Sequence, residues 1–258
     1  MNCFSFDIET IPDVEFGRRM WDLADLSDED VASAMIFRQL QATGSEFLPL
    51  HQHRIVAIAV ALRSGEDFRV WSLGNEDSDE AELLRRFFDG VDRYTPDLIS
   101  WNGGGFDLPV LNYRALKHSI QAPRYWEKGD SDREFRYNNY LSRFHWRHID
   151  LMDVLAGFQP RGRASLEQMS VLLGFPGKLG MSGDKVWDRY REGGLRAIRD
   201  YCESDVLNTW LIFLRFELLR GNLDQTGLER EYDLVRSTLT AMDAPHLNEF
   251  LAAWPVTE

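Results

Sequence analysis

The chain is short of cysteine and of positive charge, and each shortage excludes a class of protein. Only Cys3 and Cys202 occur in 258 residues, so no Cys-x-x-Cys pair exists. That excludes a zinc ribbon and a thioredoxin-like redox motif. It fits a reducing compartment, with the two thiols acting as small buried apolar groups. Lysine and arginine number 29 against 42 aspartates and glutamates, a formal net charge of −13. A protein that passively coats nucleic acid carries the opposite excess. A carboxylate-lined metal site is not excluded, because bound cations restore local neutrality.

Long apolar runs are missing too. The longest, Ile55 to Leu62, is far too short to span a bilayer. No basic segment followed by an apolar run opens the chain, so the expectation is no signal peptide, no membrane association and a cytoplasmic location. Repeats, low-complexity tracts and linkers are absent. What is present is an ordinary globular composition, 44% hydrophobic and 12% aromatic, enough to build one core.

The periodicities predict an α/β domain. Phe4, Phe6 and Ile8 alternate along a strand from Asn2 to Ile8. Arg54 to Leu62 reads as a strand covered on both faces, and Phe68 to Leu73 as its hairpin partner across Ser64-Gly65-Glu66-Asp67. Asp97 to Ser100 reads as a short buried strand. Helices are expected over Ser27–Gln41, Ser78–Tyr94, about Leu108–His118, Leu151–Gly157, Ser165–Leu173 and Leu195–Arg220, the last stopped by Gly221. Segments 13–50 and 121–148 read as insertions. Residues 222–258 read as a partly helical C-terminal extension, all within one domain over 1–258.

Three motifs carry chemistry. In Phe6-Asp7-Ile8-Glu9-Thr10 the two acids share one strand face, and paired carboxylates repel unless a cation sits between them. Hard oxygen ligands select Mg²⁺ or Mn²⁺. Alone, the triplet also fits a strand ending in solvent. In Trp101-Asn102-Gly103-Gly104-Gly105-Phe106-Asp107-Leu108-Pro109 the glycines allow a sharp bend and close approach. Asp107 sits where a helix N-cap is expected, and a plain capping Asp is the bland alternative. In Tyr201-Cys202-Glu203-Ser204-Asp205 the tyrosine and last aspartate share a helix face at i, i+4. An Asp near an apolar face is costly unless it binds something, or unless it pairs with a neighbour such as Arg199.

Taken together, the motifs resemble those of the proofreading 3′–5′ exonuclease superfamily in its tyrosine-containing form. They are closest to the exonuclease domain of family B DNA polymerases and to a family of predicted stand-alone bacterial exonucleases related to it. In that pattern Asp-x-Glu is followed by Asn-x₂₋₃-Phe/Tyr-Asp and then Tyr-x₃-Asp, the order found here. The resemblance runs from about residue 2 to 220. It implies a ribonuclease H-like fold, a mixed five-stranded sheet flanked by helices. It implies Asp7, Glu9, Asp107 and Asp205 as ligands of two divalent cations, Mg²⁺ or Mn²⁺, and Tyr201 as a positioning residue. It also implies hydrolysis of 3′-terminal phosphodiesters to nucleoside 5′-monophosphates, and a partner nucleic acid with a free 3′ end.

Thr10, Asn102 and Phe106 belong to the same motifs as nucleic-acid contacts. Ser165-Leu166-Glu167-Gln168-Met169 is similar to the Ser/Thr-Leu-x-x-hydrophobic motif that touches single-stranded DNA in such domains, and a helix N-cap reads it equally well. Lys178 and Lys185 lie in a glycine-rich loop within reach of a phosphate. Arg133 and Arg136, in an aromatic-basic segment, fit either a single-strand track or a packed loop. No polymerase domain is expected to accompany these motifs. Single-stranded DNA is the favoured substrate. RNA, or a binding module of the same fold with weak turnover, are the rivals. Protein partners are left open.

Overall fold

A computed structural model describes residues 2–254. Met1 and residues 255–258, the end of the expected extension, lie outside the described residues. One five-stranded sheet organises the chain. Its strands are β1 (Asn2–Pro12), β2 (His53–Ser64), β3 (Asp67–Ser72), β4 (Asp97–Ser100) and β5 (His148–Asp150), in the order β3-β2-β1-β4-β5. β1 and β2 run antiparallel, as do β2 and β3, whereas β4 is parallel to both β1 and β5. This is the mixed sheet that a ribonuclease H-like fold requires.

The helices are α1 (Val14–Trp21), α2 (Asp28–Thr43), α3 (Glu80–Tyr94), α4 (Asp107–Lys117), α5 (Leu151–Leu155), α6 (Leu166–Leu173), α7 (Val186–Arg191), α8 (Leu195–Leu219), α9 (Gln225–Met242) and α10 (Pro245–Ala253). The alternation in β1 sorts them. Phe4, Phe6 and Ile8 join the core under α3 and α4. Cys3 and Ile11 join the core under α8, α9 and α10. Asp7 and Glu9 share the parity of Cys3 and Ile11, so they point toward α8 and not toward α3.

Helix α8 is buried nearly all round, as a helix wedged between a sheet and further helices must be. Trp210 is fully buried and stacks on Phe68 of β3 at 5.6 Å. Segment 13–50 forms a small helical lobe on its own core of Val31, Met35 and Leu48. Segment 121–148 is mostly a packed loop. Tyr125, Phe135 and Tyr140 are buried, the Tyr140 hydroxyl donates to Pro96 O at 2.7 Å, and Arg124 and Arg147 lie over the Phe135 ring.

Several elements differ from expectation. β1 runs on to Pro12 through an irregularity between Glu9 and Thr10, so the acid pair lies within the strand and not at its end. Short α1, α7 and β5 are additional. The turn after β4 bends at Asn102, whose φ is 64°, while its three glycines have no positive φ. They leave room instead. A Cβ on Gly103 would meet Ser100 Oγ at 2.3 Å, and one on Gly105 would meet Asn102 Oδ1 at 2.5 Å.

A buried ion network pins the site end of the fold. Arg114 of α4 binds Asp13 beyond β1 and Glu80 at the start of α3, with all three side chains at 3–5% exposure. Glu80 also accepts the Ile55 N–H of β2 at 2.7 Å. Removing Arg114 leaves two buried carboxylates with only the more exposed Lys117 at 3.0 Å from Asp13 and His118 at 2.7 Å from Glu80. Arg114→Ala is therefore expected to lower unfolding free energy by about 3–5 kcal/mol, read from the urea midpoint at constant m-value. A loss below about 1 kcal/mol would mean that water solvates the two acids in the folded state.

Candidate active site

The parallel ladder between β1 and β4 covers only Cys3 to Ser5. Beyond it the strands part, and the crevice opens at the carboxyl ends of parallel strands, where α/β sheets place their sites. Asp7 and Glu9 stand at that point. One carboxylate oxygen of each, together with Cys202 Sγ, lies within 4.8 Å of the others. Glu9 is buried at 7% exposure, which removes the reading of a strand ending in solvent.

Asp107 reaches the same point from α4. It is not the helix cap. Phe106 occupies that position with no side-chain bond, and Asp107 is the first helical residue. Its Oδ1 accepts the Ile8 N–H at 3.1 Å, so the carboxylate is turned across the crevice onto β1. Asp150, at the end of β5, holds the preceding turn by accepting Asn102 N–H and Gly104 N–H at 2.9 Å each.

Asp205 and Tyr201 come from α8. The phenol lies against the Asp205 carboxylate and favours its ionised form. Arg199 does not pair with Asp205. Its guanidinium donates to the carbonyls of Ser72, Leu73 and Gly74. Asp205 Oδ1 is buried without a hydrogen-bond partner among the described residues, a costly arrangement unless a ligand completes it.

The electrostatics show that the four acids form one cluster. Burial drives the proton affinity of Asp7 far up, and Asp107, Glu9 and Asp205 raise it further. Glu9 is raised likewise by burial, Asp205 and Asp107. Asp107 is pushed up to about 7 and Asp205 to about 6, in both cases chiefly by burial. Four crowded carboxylates with one orphaned oxygen fit hard divalent cations in donor type and in charge. Cys202 does not fit as a ligand. Burial and the neighbouring acids push its thiol far up, so it stays protonated, and its Sγ donates to the Asp7 main-chain and side-chain oxygens at 3.4 and 3.5 Å.

The other singled-out residues divide. Glu9, Thr10 and Phe106 line one cleft with Lys178. Lys178 Nζ sits 6.0 Å from the Tyr201 ring centre and lowers the proton affinity of both Glu9 and Asp205. The sequence offered two loop lysines without a way to choose, and the folded loop brings Lys178, not Lys185, to the cleft of the acids. The Ser165 hydroxyl and backbone close a capping box with Gln168, so the cap reading accounts for it. Arg133 lines a separate cavity with Asp92 and Arg124, and Arg136 folds over Gly129, donating to its carbonyl. Neither lines the cleft of the acids.

The crowding predicts a pH signature without cations. The unfolded chain releases the Asp107 proton near pH 4, whereas the folded chain holds it to about pH 7. Between these values the unfolded state binds fewer protons, so stability falls as pH rises, and the penalty is complete above about pH 7. Buried His148, held neutral with its pKa lowered to about 4, pulls the other way, so the comparison with Asp107→Asn isolates the effect. In EDTA, Asp107→Asn should melt several degrees above wild type at pH 8 and close to it at pH 4. Added Mg²⁺ or Mn²⁺ should stabilise wild type more than the variant at pH 8. Parallel melting curves across that range would contradict the cluster's electrostatics.

Comparison with known proteins agrees with this geometry. A family model described as "Predicted 3'-5' exonuclease related to the exonuclease domain of PolB" matches residues 45–254. DNA polymerase 1 of Sulfurisphaera ohwakuensis is 53% identical over 38 residues, 15% of this chain and 4% of the polymerase. Asp107, Tyr201 and Asp205 fall inside the family match, while Asp7 and Glu9 precede it and join the site through the fold. With four-fifths of its length matched, the chain belongs to the family of predicted 3′–5′ exonucleases related to the exonuclease domain of PolB.

Proposed function

We propose that the protein removes nucleotides from the 3′ end of single-stranded DNA, using two divalent cations held by Asp7, Glu9, Asp107 and Asp205. The observation that carries this reading is the mutual repulsion that joins half-buried Asp7 and buried Glu9 of β1 to buried Asp107 of α4 and Asp205 of α8, whose Oδ1 is unpartnered among the described residues. Mg²⁺ or Mn²⁺ bound there would supply positive charge for the attacking and leaving oxygens of the terminal phosphodiester. The product would be a nucleoside 5′-monophosphate.

The chain's own residues then have separable tasks. Asp7 and Glu9 lie on a rigid strand and fix the spacing of the charges. Asp107 is braced against the Ile8 N–H, which holds its carboxylate on β1. Burial and the surrounding acids drive the Tyr201 phenol far above its ordinary pKa. It therefore remains protonated and acts as a hydrogen-bond donor, aiming the attacking water, and not as a base. Lys178 is the cation nearest the acids among those the cleft presents, and suits a non-bridging phosphate oxygen.

The test is purified protein on end-labelled single-stranded DNA and RNA with Mg²⁺, Mn²⁺ or EDTA. Cation-dependent shortening from the 3′ end is expected, faster on DNA. Asp7→Ala and Asp205→Ala should drop to background while keeping native circular dichroism. Tyr201→Phe should slow single-turnover cleavage about 10- to 100-fold with the Mg²⁺ midpoint unchanged. Lys178→Ala should weaken DNA binding and reduce its salt slope by about one phosphate contact. Undiminished cleavage by Asp7→Ala would refute the metal assignment, and faster cleavage of RNA would reassign the substrate.

A further inference from the structure

Edge strand β3 uses its two faces differently. Phe68 and Val70 enter the core shared with α8. Asp67, Arg69 and Trp71 alternate with them and face the α3 side, opposite Ser64, Leu62 and Val60 of β2. Helix α3 ends there with Arg93 and Tyr94. Asn2 of β1, itself paired with Ser64, donates to Tyr94 O at 2.6 Å and fixes that helix end beside the hairpin. A groove of about 410 Å³ lies between hairpin and helix, within the range of sites that take a small ligand. Buried Leu62 and the half-buried rings of Trp71 and Tyr94 give it apolar surface. It is on the opposite face of the sheet from Asp7 and Glu9, which point toward α8.

Charge narrows the occupant. Arg69 and Arg93 both line the groove, and neither forms an ion pair among the described residues. Arg63, on the other face of the same hairpin, is by contrast held by Glu231 through two bonds of 2.8 Å. In a chain of net charge −13, two unpaired guanidinium groups in one groove fit an anion from outside. Guanidinium forks match phosphate oxygens, and the rings of Trp71 and Tyr94 beside them match a flat base. Asp67 and Ser64 add acceptors for sugar hydroxyls. A terminal phosphate, with roughly two charges, matches two cations better than a diester with one. A strand leaving the groove would also meet the field of an acidic chain. We propose that this groove binds a free nucleoside 5′-monophosphate, as a second site separate from the acid cluster. It is independent of the nuclease reading, because binding there needs neither cation nor turnover.

Isothermal titration of the full chain in EDTA tests this. Wild type should bind adenosine 5′-monophosphate saturably, at one molecule per chain. Ribose 5-phosphate should bind about tenfold more weakly, the usual worth of one aromatic–base stack. Adenosine and inorganic phosphate should each bind at least about tenfold more weakly, since each lacks one half of the contact. Arg69→Ala with Arg93→Ala should abolish the preference for the nucleotide over adenosine. Trp71→Ala should abolish the preference over ribose 5-phosphate, and Trp71→Phe should keep it. Arg69 and Arg93 are exposed, so the double variant should melt with wild type. No saturable binding, equal affinity for inorganic phosphate, or nucleotide binding that survives loss of both arginines would each overturn the proposal. An unphosphorylated oligonucleotide that displaces the mononucleotide at equal nucleotide concentration would overturn it in favour of a nucleic-acid strand.

Discussion

Repulsion among four carboxylates, three buried and Asp7 half-buried, is the constraint around which this molecule is arranged. Like charges a few ångströms apart in a poorly solvated crevice separate or take up protons unless the scaffold holds them and a counter-charge arrives. A flexible scaffold would let the acids swing into solvent. Here each rests on an element that cannot swing. β1 is paired on both sides at its start, α8 is buried for most of its length, and α4 is anchored through Arg114 to Asp13 and Glu80. Stability is thereby given up locally, a common arrangement at sites that bind charge, and the proposed cations would recover it.

That arrangement explains which parts were legible in the sequence. Asp7 and Glu9 could be paired because strand parity is strictly two, and Tyr201 with Asp205 because a helix brings i and i+4 together. The long apolar strand β2 and helix α8 announce themselves by composition. β5 does not, since three residues, His148 to Asp150, carry no period. The extension of β1 past Ile8 was hidden because the polar pair Glu9-Thr10 interrupts the apolar pattern before Ile11. Within its own motif Asp107 fitted a helix cap as well as a ligand, because Asp is a favoured cap residue. Only the tertiary fold shows that its oxygen goes to β1. Lys178 was unresolvable for the same reason, because a loop has no periodicity from which to infer its neighbours.

The aromatic-basic segment 121–148 teaches a related point. Interleaved Arg and aromatic residues suit a nucleic-acid track and a packed loop equally well in sequence. The fold uses much of this composition internally, with guanidinium groups covering Phe135 and an Arg143–Asp153 ion pair holding the segment to α5. Cation–ring contacts of this kind stabilise a loop without regular backbone bonds. Trp126, Tyr137, Phe144 and Trp146 are left exposed, so the segment is not wholly internal.

The 13–50 lobe shows how an insertion between two inner strands, β1 and β2, becomes part of a site. Its two helices pack closely at Gly17, where a Cβ would meet Met35 Sδ at 2.6 Å and Val31 Cγ1 at 2.8 Å. That close approach seals the lobe's small core and makes it a firm wall. The lobe is then joined to both neighbours. Asp13 ties its start to α4 through the Arg114 network, and Glu29 of α2 pairs with Arg191 of α7, opposite it across the cleft. An exposed pair of this kind contributes little energy, yet it spans the two sides of one groove. An open crevice with four acids would bind cations and little else. Enclosing its flank with a braced lobe adds shape on one side only, which is how a site of symmetric charge acquires a direction for an extended chain.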